Sequence, residues 1–209
     1  MGCSWDLNMN RITIIRPEKD LLETVLSDWA SLILWGCRGS TSLTLADMKG
    51  SLANRLNIEI EISRSELVLY FGHGTKDKIG HPDSLLDNAN IHLCSGKILI
   101  SIACDTADKL GIDAINSGTK SFIGFDDVLA IYLGHPSLFG SVFTQALLPL
   151  LTGSFDVADS RDTIITHFQS LEDHYKNAGA NDPNATIIWL AAHINWRGVQ
   201  AHGDMSARM

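Results

Sequence analysis

Two residue types with complementary chemistry stand at the ends of two apolar runs. His73 sits between Gly72 and Gly74 directly after Leu67-Val68-Leu69-Tyr70-Phe71, and Cys104 follows Ile98-Leu99-Ile100-Ser101-Ile102-Ala103. A thiol becomes a useful nucleophile when a base or cation assists it, and histidine is the commonest assistant. If the two runs are neighbouring parallel strands, about 4.8 Å apart, the two side chains leave one edge of the sheet together. The chemistry would then be attack of sulfur on a carbonyl carbon, with His73 handling the proton and the backbone N–H groups of Gly74 and Cys104 holding the oxyanion. The flanking glycines suit a loop that turns sharply and lets a substrate approach the backbone. Taken singly, a cysteine after a strand is more often a small buried hydrophobe, and Gly-His-Gly is often only a turn. Their joint placement after two central strands favours the chemical reading.

Such a pair has to be positioned by strands alternating with helices. Arg11-Ile12-Thr13-Ile14-Ile15 before Pro17 predicts a first strand, and Leu21, Leu22, Val25, Leu26 and Trp29 predict an amphipathic helix over residues 17–30. Residues 31–35 predict a second buried strand closed by Gly36; Thr44, with Asp47 three residues on, predicts the cap of a second helix running to about residue 57. Ile58-Glu59-Ile60-Glu61-Ile62 alternates with period two and reads as a short strand or sheet edge. The runs 67–71 and 97–103 are nearly continuous in apolar residues, as expected of central parallel strands covered on both faces, with a polar loop over 74–96 between them. A helix over 106–117, a strand over 121–125, a buried helix over 138–151, a polar helix over 160–177 and a sixth strand over 185–194 complete the expectation. The pattern predicts one domain over 1–209: a three-layer α/β/α fold with a mostly parallel sheet of about six strands. Ligand sites of such sheets lie beyond the carboxyl ends of the strands, here at Gly72-His73-Gly74, Cys104-Asp105 and Phe125-Asp126-Asp127.

Composition narrows the function. The chain has 209 residues, 45% hydrophobic and 19% charged, enough for a self-sufficient core. Sixteen Lys and Arg against twenty-four Asp and Glu give a net charge of −8, which repels phosphate backbones and anionic lipid, so neither nucleic acid nor membrane is an expected partner. No apolar run approaches the roughly 18–20 residues that span a bilayer. Met1-Gly2-Cys3-Ser4-Trp5-Asp6 opens like a lipidation signal but has Asp6 where the motif takes Ser or Thr. Cysteines at 3, 37, 94 and 104 have no Cys-x-x-Cys spacing and read as reduced thiols of a cytoplasmic protein. His81, His92, Cys94 and Cys104 lack the spacing of a tetrahedral metal site, and His135, His167, His174, His193 and His202 read as surface or satisfied core residues. No Gly-Lys-Ser/Thr phosphate loop is present, and Ile102 and Thr106 occupy the glycine positions of a nucleophile elbow. No metal and no cofactor is expected.

The segment ending Phe71-Gly72-His73-Gly74, followed about thirty residues later by Ile102-Ala103-Cys104, resembles the His-Gly and Ala-Cys motifs of caspase-like cysteine peptidases, with the bacterial CHAT branch the closer match. Gly118-Thr119-Lys120-Ser121-Phe122-Ile123-Gly124 is similar to the strand after the nucleophile's helix in that family, and Trp189-Leu190-Ala191-Ala192-His193 to the closing strand of CHAT domains. The resemblance implies that Cys104 attacks the scissile carbonyl and that His73 chiefly protonates the leaving amine. It implies a primary specificity pocket lined by Phe125, Asp126 and Asp127, where acids favour Arg or Lys in the substrate. Asp105 is a further candidate for that pocket, with capping of the helix from Thr106 as its other meaning; metacaspase-type enzymes instead carry an acid two residues before the nucleophile, where Ile102 stands. The implied partners are a protein or peptide substrate and an activating or inhibitory protein, with loops over 126–137 and 152–162 ordering on activation. The resemblance also implies a place in a bacterial defence or cell-death system, where family members of this size often sit. The competing expectation is a catalytically silent caspase-like adaptor or oligomerisation module; retention of His73, Gly74 and Cys104 together favours the enzyme.

Overall fold

The computed structural model describes residues 10–178 and 182–209, so the amino-terminal Gly2-Cys3 segment lies outside the described residues. The first strand, β1 (Asn10–Arg16), leads into α1 (Leu21–Gly36), β2 (Leu43–Lys49), α2 (Arg55–Ile62) and the central strand β3 (Leu67–Phe71). Three two-residue strands, β4 (Gly74–Thr75), β5 (Lys78–Ile79) and β6 (Leu86–Asp87), precede β7 (Ile98–Ile102), α3 (Leu110–Asn116) and β8 (Ser121–Phe125). The chain ends with α4 (Pro136–Leu151), α5 (Val157–Ala178), α6 (Ala185–Gly198) and β9 (Val199–Gly203).

The main sheet has six strands in the order β2-β1-β3-β7-β8-β9; all neighbours are parallel except β9, which runs antiparallel to β8. This is the expected three-layer α/β/α fold. Side chains alternate across the strands, which explains why β3, β7 and β8 are buried throughout. One face carries Ile12, Leu69, Phe71, Ile100, Ile102 and Phe125 against α1, α4 and α5; the other carries Val68, Tyr70, Leu99 and Phe122 against α2 and α3. Among the described residues no helix is long and apolar enough to cross a membrane.

Four local expectations are corrected. Residues 31–35 continue α1, because Ala30, Ile33 and Cys37 prolong the buried stripe of Leu26 and Trp29; the run looked strand-like because Leu32 and Trp35 are apolar yet exposed. Thr44 caps no helix: residues 43–49 form strand β2 beside β1, and Asp47 takes the Arg16 guanidinium in two hydrogen bonds of 2.7 and 2.5 Å. The alternating 58–62 segment is helical, burying Ile58 and Ile62 four residues apart while Ile60 faces out, with Asn54 as its side-chain cap. The predicted strand over 185–194 is α6, whose buried Ala185, Ile188, Ala191, Ala192 and Asn195 follow helical spacing. Trp189–His193 is therefore not a closing strand, a part played by Val199–Gly203. The polar 74–96 loop folds on itself as the small antiparallel sheet β4-β5-β6.

Candidate active site

The register of the central strands brings the two candidate residues to the same sheet edge. Phe71 pairs with Ile102, and the Gly72 N–H donates to the Ile102 carbonyl at 3.3 Å, so His73 and Cys104 each lie two residues beyond a paired position at the same edge. Gly74 is pressed onto the backbone around Cys104: a Cβ there would stand 2.8 Å from the Cys104 carbonyl oxygen, 2.9 Å from the Ala103 Cβ and 2.5 Å from a Thr106 methyl. A Cβ on Gly72 would meet the Tyr70 hydroxyl at 2.4 Å. Neither glycine has a positive φ, so close approach requires them and not the sharp turn expected from the sequence. The Gly80 N–H donates to the His73 carbonyl at 2.9 Å, which makes Gly74 and Ile79 the non-hydrogen-bonded pair of the hairpin. The Gly74 N–H thus points away from β5 and is free of that ladder.

His73 is held from two sides. Its Nε2 lies 2.6 Å from an Asp20 carboxylate oxygen, and its carbonyl accepts the hydroxyl of fully buried Tyr70 at 2.7 Å. Asp20 is the N-cap of α1, accepting the Glu23 N–H at 2.9 Å. That N–H, and then the imidazole, hold the Asp20 carboxyl below the usual carboxylate range, so it is ionised at neutral pH. With Nε2–H donating to Asp20, Nδ1 is the nitrogen left to exchange a proton. The His81 ring stands edge-on to His73, centroids 5.9 Å apart. Asp20 did not emerge as a site residue because the helix was expected to start at residue 17; Asp20-x-x-Glu23 is a legible cap, but only the fold brings it to His73.

The Cys104 thiol is partly covered. Its Sγ accepts the Leu129 N–H at 3.3 Å, and among the described residues no hydrogen bond joins it to His73. Burial pushes the thiol above its ordinary pKa against the opposing effect of the Leu129 N–H, and the charges of Asp105 and Asp127 push it further. At rest the group is a thiol, not a thiolate. Asp105 has φ 58°, the one positive φ outside glycine among the described residues, and its N–H donates to the Asp127 carbonyl at 3.0 Å. It caps no helix, since α3 begins at Leu110 with Lys109 at its N-cap. Asp105→Asn keeps a residue type that tolerates this left-handed backbone while removing the charge. The thiol pKa should fall, and alkylation by iodoacetamide at a fixed pH below it should quicken by about two- to fivefold; an unchanged rate–pH profile would show that Asp105 does not act on the sulfur.

The expected specificity residues separate. Phe125 is fully buried and packs edge-to-face on Phe143, centroids 6.2 Å apart, so its side chain belongs to the core and not to a pocket wall. Asp126 and Asp127 are exposed at the rim: Asp126 accepts the Gln200 amide at 2.9 Å, and Asp127 accepts the Val128 N–H at 2.7 Å. Lys76, paired with Asp108 at 2.7 Å, lies within the field of Asp105 and Asp127 and has its pKa raised by these acids, Asp108 foremost. The loop after β8 is fastened from below by Asn195 of α6, which is fully buried; its side-chain oxygen accepts the Ala130 N–H at 2.8 Å and its NH2 donates to the Ala130 carbonyl at 2.9 Å. Neither Leu129 nor Asn195 carries a sequence signal of its own, because the first acts through its backbone and the second through a contact 65 residues away.

No family model matches the sequence, and comparison with curated proteins finds no match. Solved structures do match. The Arg-specific cysteine proteinase gingipain R (RgpB) superposes with a TM-score of 0.61 at 13% identity, over 97% of this chain and 48% of that one. The complex of the pro- and mature domains of RgpB from Porphyromonas gingivalis gives 0.57 at 12% identity, over 96% and 48%. The chain spans about half the length of the proteins it matches. With its six-stranded, mostly parallel sheet between helical layers, it has the caspase-like α/β/α fold of the gingipain cysteine peptidases.

Proposed function

We propose that this chain is the peptidase domain of a cysteine endopeptidase in which Cys104 is the nucleophile, His73 the proton carrier and Asp20 the residue that orients the imidazole. The observation that carries the reading is the close approach of Gly74, next to His73, to Ala103 and Cys104 at the carboxyl edge of the sheet, with the imidazole tied to Asp20. The Cys104 thiol adds through sulfur to the scissile carbonyl carbon as its proton passes to His73, and the N–H groups of Gly74 and Cys104 take the oxyanion. As the tetrahedral adduct collapses, the C–N bond breaks, the amine leaves with a proton from His73, and a thioester remains. Water gives a proton to His73 as its oxygen adds to the thioester carbonyl; the C–S bond then breaks and His73 returns the proton to sulfur, releasing the acid and restoring the thiol.

The acids around the sulfur support cleavage after Arg or Lys. Asp105 and Asp127 act electrostatically on Cys104, and Asp126 adds a third carboxylate at the rim. RgpB, which shares the fold, is named as Arg-specific. The Leu129 N–H on Sγ and the raised thiol pKa support control by a protein partner or by clipping of the loop after β8, since a substrate carbonyl must displace that contact. The same two observations favour the second reading, a catalytically silent adaptor.

Fluorogenic peptides varied at the residue before the scissile bond, offered to the wild type and to Cys104→Ala, separate the two. The expected result is turnover that requires Cys104 and prefers Arg or Lys. Asp127→Lys should cost basic substrates about tenfold or more in kcat/KM. No turnover, with Cys104 also inert to a thiol-directed peptide inhibitor before and after limited proteolysis, would establish the adaptor.

A further inference from the structure

A groove of about 430 Å³ opens beside the candidate active site, within the size range of ligand clefts. Its walls include Glu18 and Lys19 after β1, Gly50 and Ser51 after β2, Arg55 at the start of α2, and Asp83. All these segments except the last follow the carboxyl ends of strands, so the groove belongs to the same edge as His73 and Cys104. One wall is continuous with the surroundings of His73: Lys19 adjoins Asp20, its ammonium donates to the His81 carbonyl at 3.3 Å and meets Asp83 at 3.2 Å, and the His81 ring stands against His73.

We infer that this groove is a subsite for the polypeptide segment on the leaving-amine side of the scissile bond. The inference rests on the endopeptidase reading and adds to it a binding surface for the substrate. Direction follows from the sheet order. Cys104 leaves β7, His73 leaves β3, and the groove lies beyond β1 and β2, while the acids of the specificity rim lie on the opposite side, after β8. The residue that protonates the amine stands between the nucleophile and the groove, so the amine half of the substrate runs toward the groove.

Length agrees with direction. Two to three strand spacings of about 4.8 Å separate β7 from the groove, about 12 Å in all, which an extended chain rising about 3.3 Å per residue covers in three to four residues. Charge selects the class of occupant. Lys19 is paired with Asp83, Lys49 with Glu18 at 3.1 Å, and the Arg55 guanidinium is turned to Asp87 at 2.8 Å and Glu59 at 3.0 Å. A groove whose three cations meet four carboxylates offers donors and acceptors but no surplus positive charge, which suits a polypeptide backbone and not a phosphate or a free carboxylate.

The test compares two substrates sharing an acetylated tripeptide that ends in Arg: one a coumarin amide with no residues beyond the scissile bond, the other an internally quenched peptide library continuing for six randomised residues. Extension should raise kcat/KM by about tenfold or more, because remote contacts contribute to transition-state binding. Ser51→Trp, placed at an exposed position, should reduce that advantage to less than about threefold while leaving the coumarin amide within about twofold of wild type. Turnover without an extension advantage, or an advantage that Ser51→Trp leaves untouched, would overturn the subsite and leave the endopeptidase reading standing. Absence of Cys104-dependent turnover of both substrates before and after limited proteolysis, with Cys104 also inert to a thiol-directed peptide inhibitor, would sink the endopeptidase reading instead. Amide hydrogen exchange on Cys104→Ala then decides the groove: protection of residues 50–55 and 83–85 by the extended library and not by the tripeptide supports it, and no protection overturns it.

Discussion

Asp20→Ala should lower kcat by about 10²–10⁴-fold, the range by which a positioned proton carrier accelerates such reactions. The carboxylate does two jobs: it caps α1 through the Glu23 N–H, and it fixes the His73 imidazole through Nε2. Loss of the cap costs about 1 kcal/mol of stability, a few degrees in Tm for a chain of this size. Loss of the imidazole partner leaves the ring free to turn. Asp20→Ser separates the two. Serine caps a helix nearly as well as aspartate, so Tm should stay close to wild type, yet its short neutral side chain replaces neither the reach nor the charge toward His73. A full loss of kcat in Asp20→Ser with an unchanged Tm identifies orientation as the role; retained activity would reduce Asp20 to a cap.

Asn195→Leu is the second variant with a large expected effect. The side chain is fully buried and makes both hydrogen bonds of the Ala130 backbone, as a neighbouring strand would. Leucine has the volume but neither partner. Each orphaned group costs about 1–3 kcal/mol, and because half-buried Ala130 can find water once the loop lifts, the total should lie near 2–3 kcal/mol, or roughly 4–10 °C in Tm. The consequence reaches the sulfur one residue away. Burial is the largest cause of the raised Cys104 pKa, ahead of the Leu129 N–H that opposes it, so lifting the loop should lower the pKa on balance and speed iodoacetamide labelling severalfold. Lowered Tm with unchanged labelling would show that the clamp holds the loop without governing the thiol. Tyr132, whose hydroxyl meets Asn184 at 2.7 Å, anchors the far side of the same loop, and Tyr132→Phe should show the same pattern in weaker form.

The elements that could be read from the chain are those whose burial is complete or whose period is clean. The runs 67–71, 98–102 and 121–125 are strands because both faces of a central parallel strand are covered, so every position is buried and, apart from Ser101, Ser121 and Gly124, apolar. The misread segments are those whose periodicity is masked. Exposed Leu32 and Trp35 made a helical turn look like a strand, and Ile60, apolar but outward-facing, made α2 look like an alternating one. In α6, β-branched Thr186, Ile187 and Ile188 pointed to a strand, and packing against α5 overrode that propensity.

What the sequence by itself determined is a candidate His–Cys pair and where each member leaves the sheet: His73 and Cys104 stand at the ends of its two clearest strands, and chain order alone makes them candidates for one edge. Only the tertiary structure decided the rest of the site. Asp20 is 53 residues from His73, and Asn195 is 65 residues from the loop that covers the thiol. Gly72 and Gly74 are required by atoms of other residues and not by their own dihedral angles. The physical reason is common to all of these. A strand is announced by its local apolar period, whereas an orienting carboxylate, a backbone N–H on sulfur and an amide clamp are each made by one contact between distant segments, and a single contact imposes no period on either.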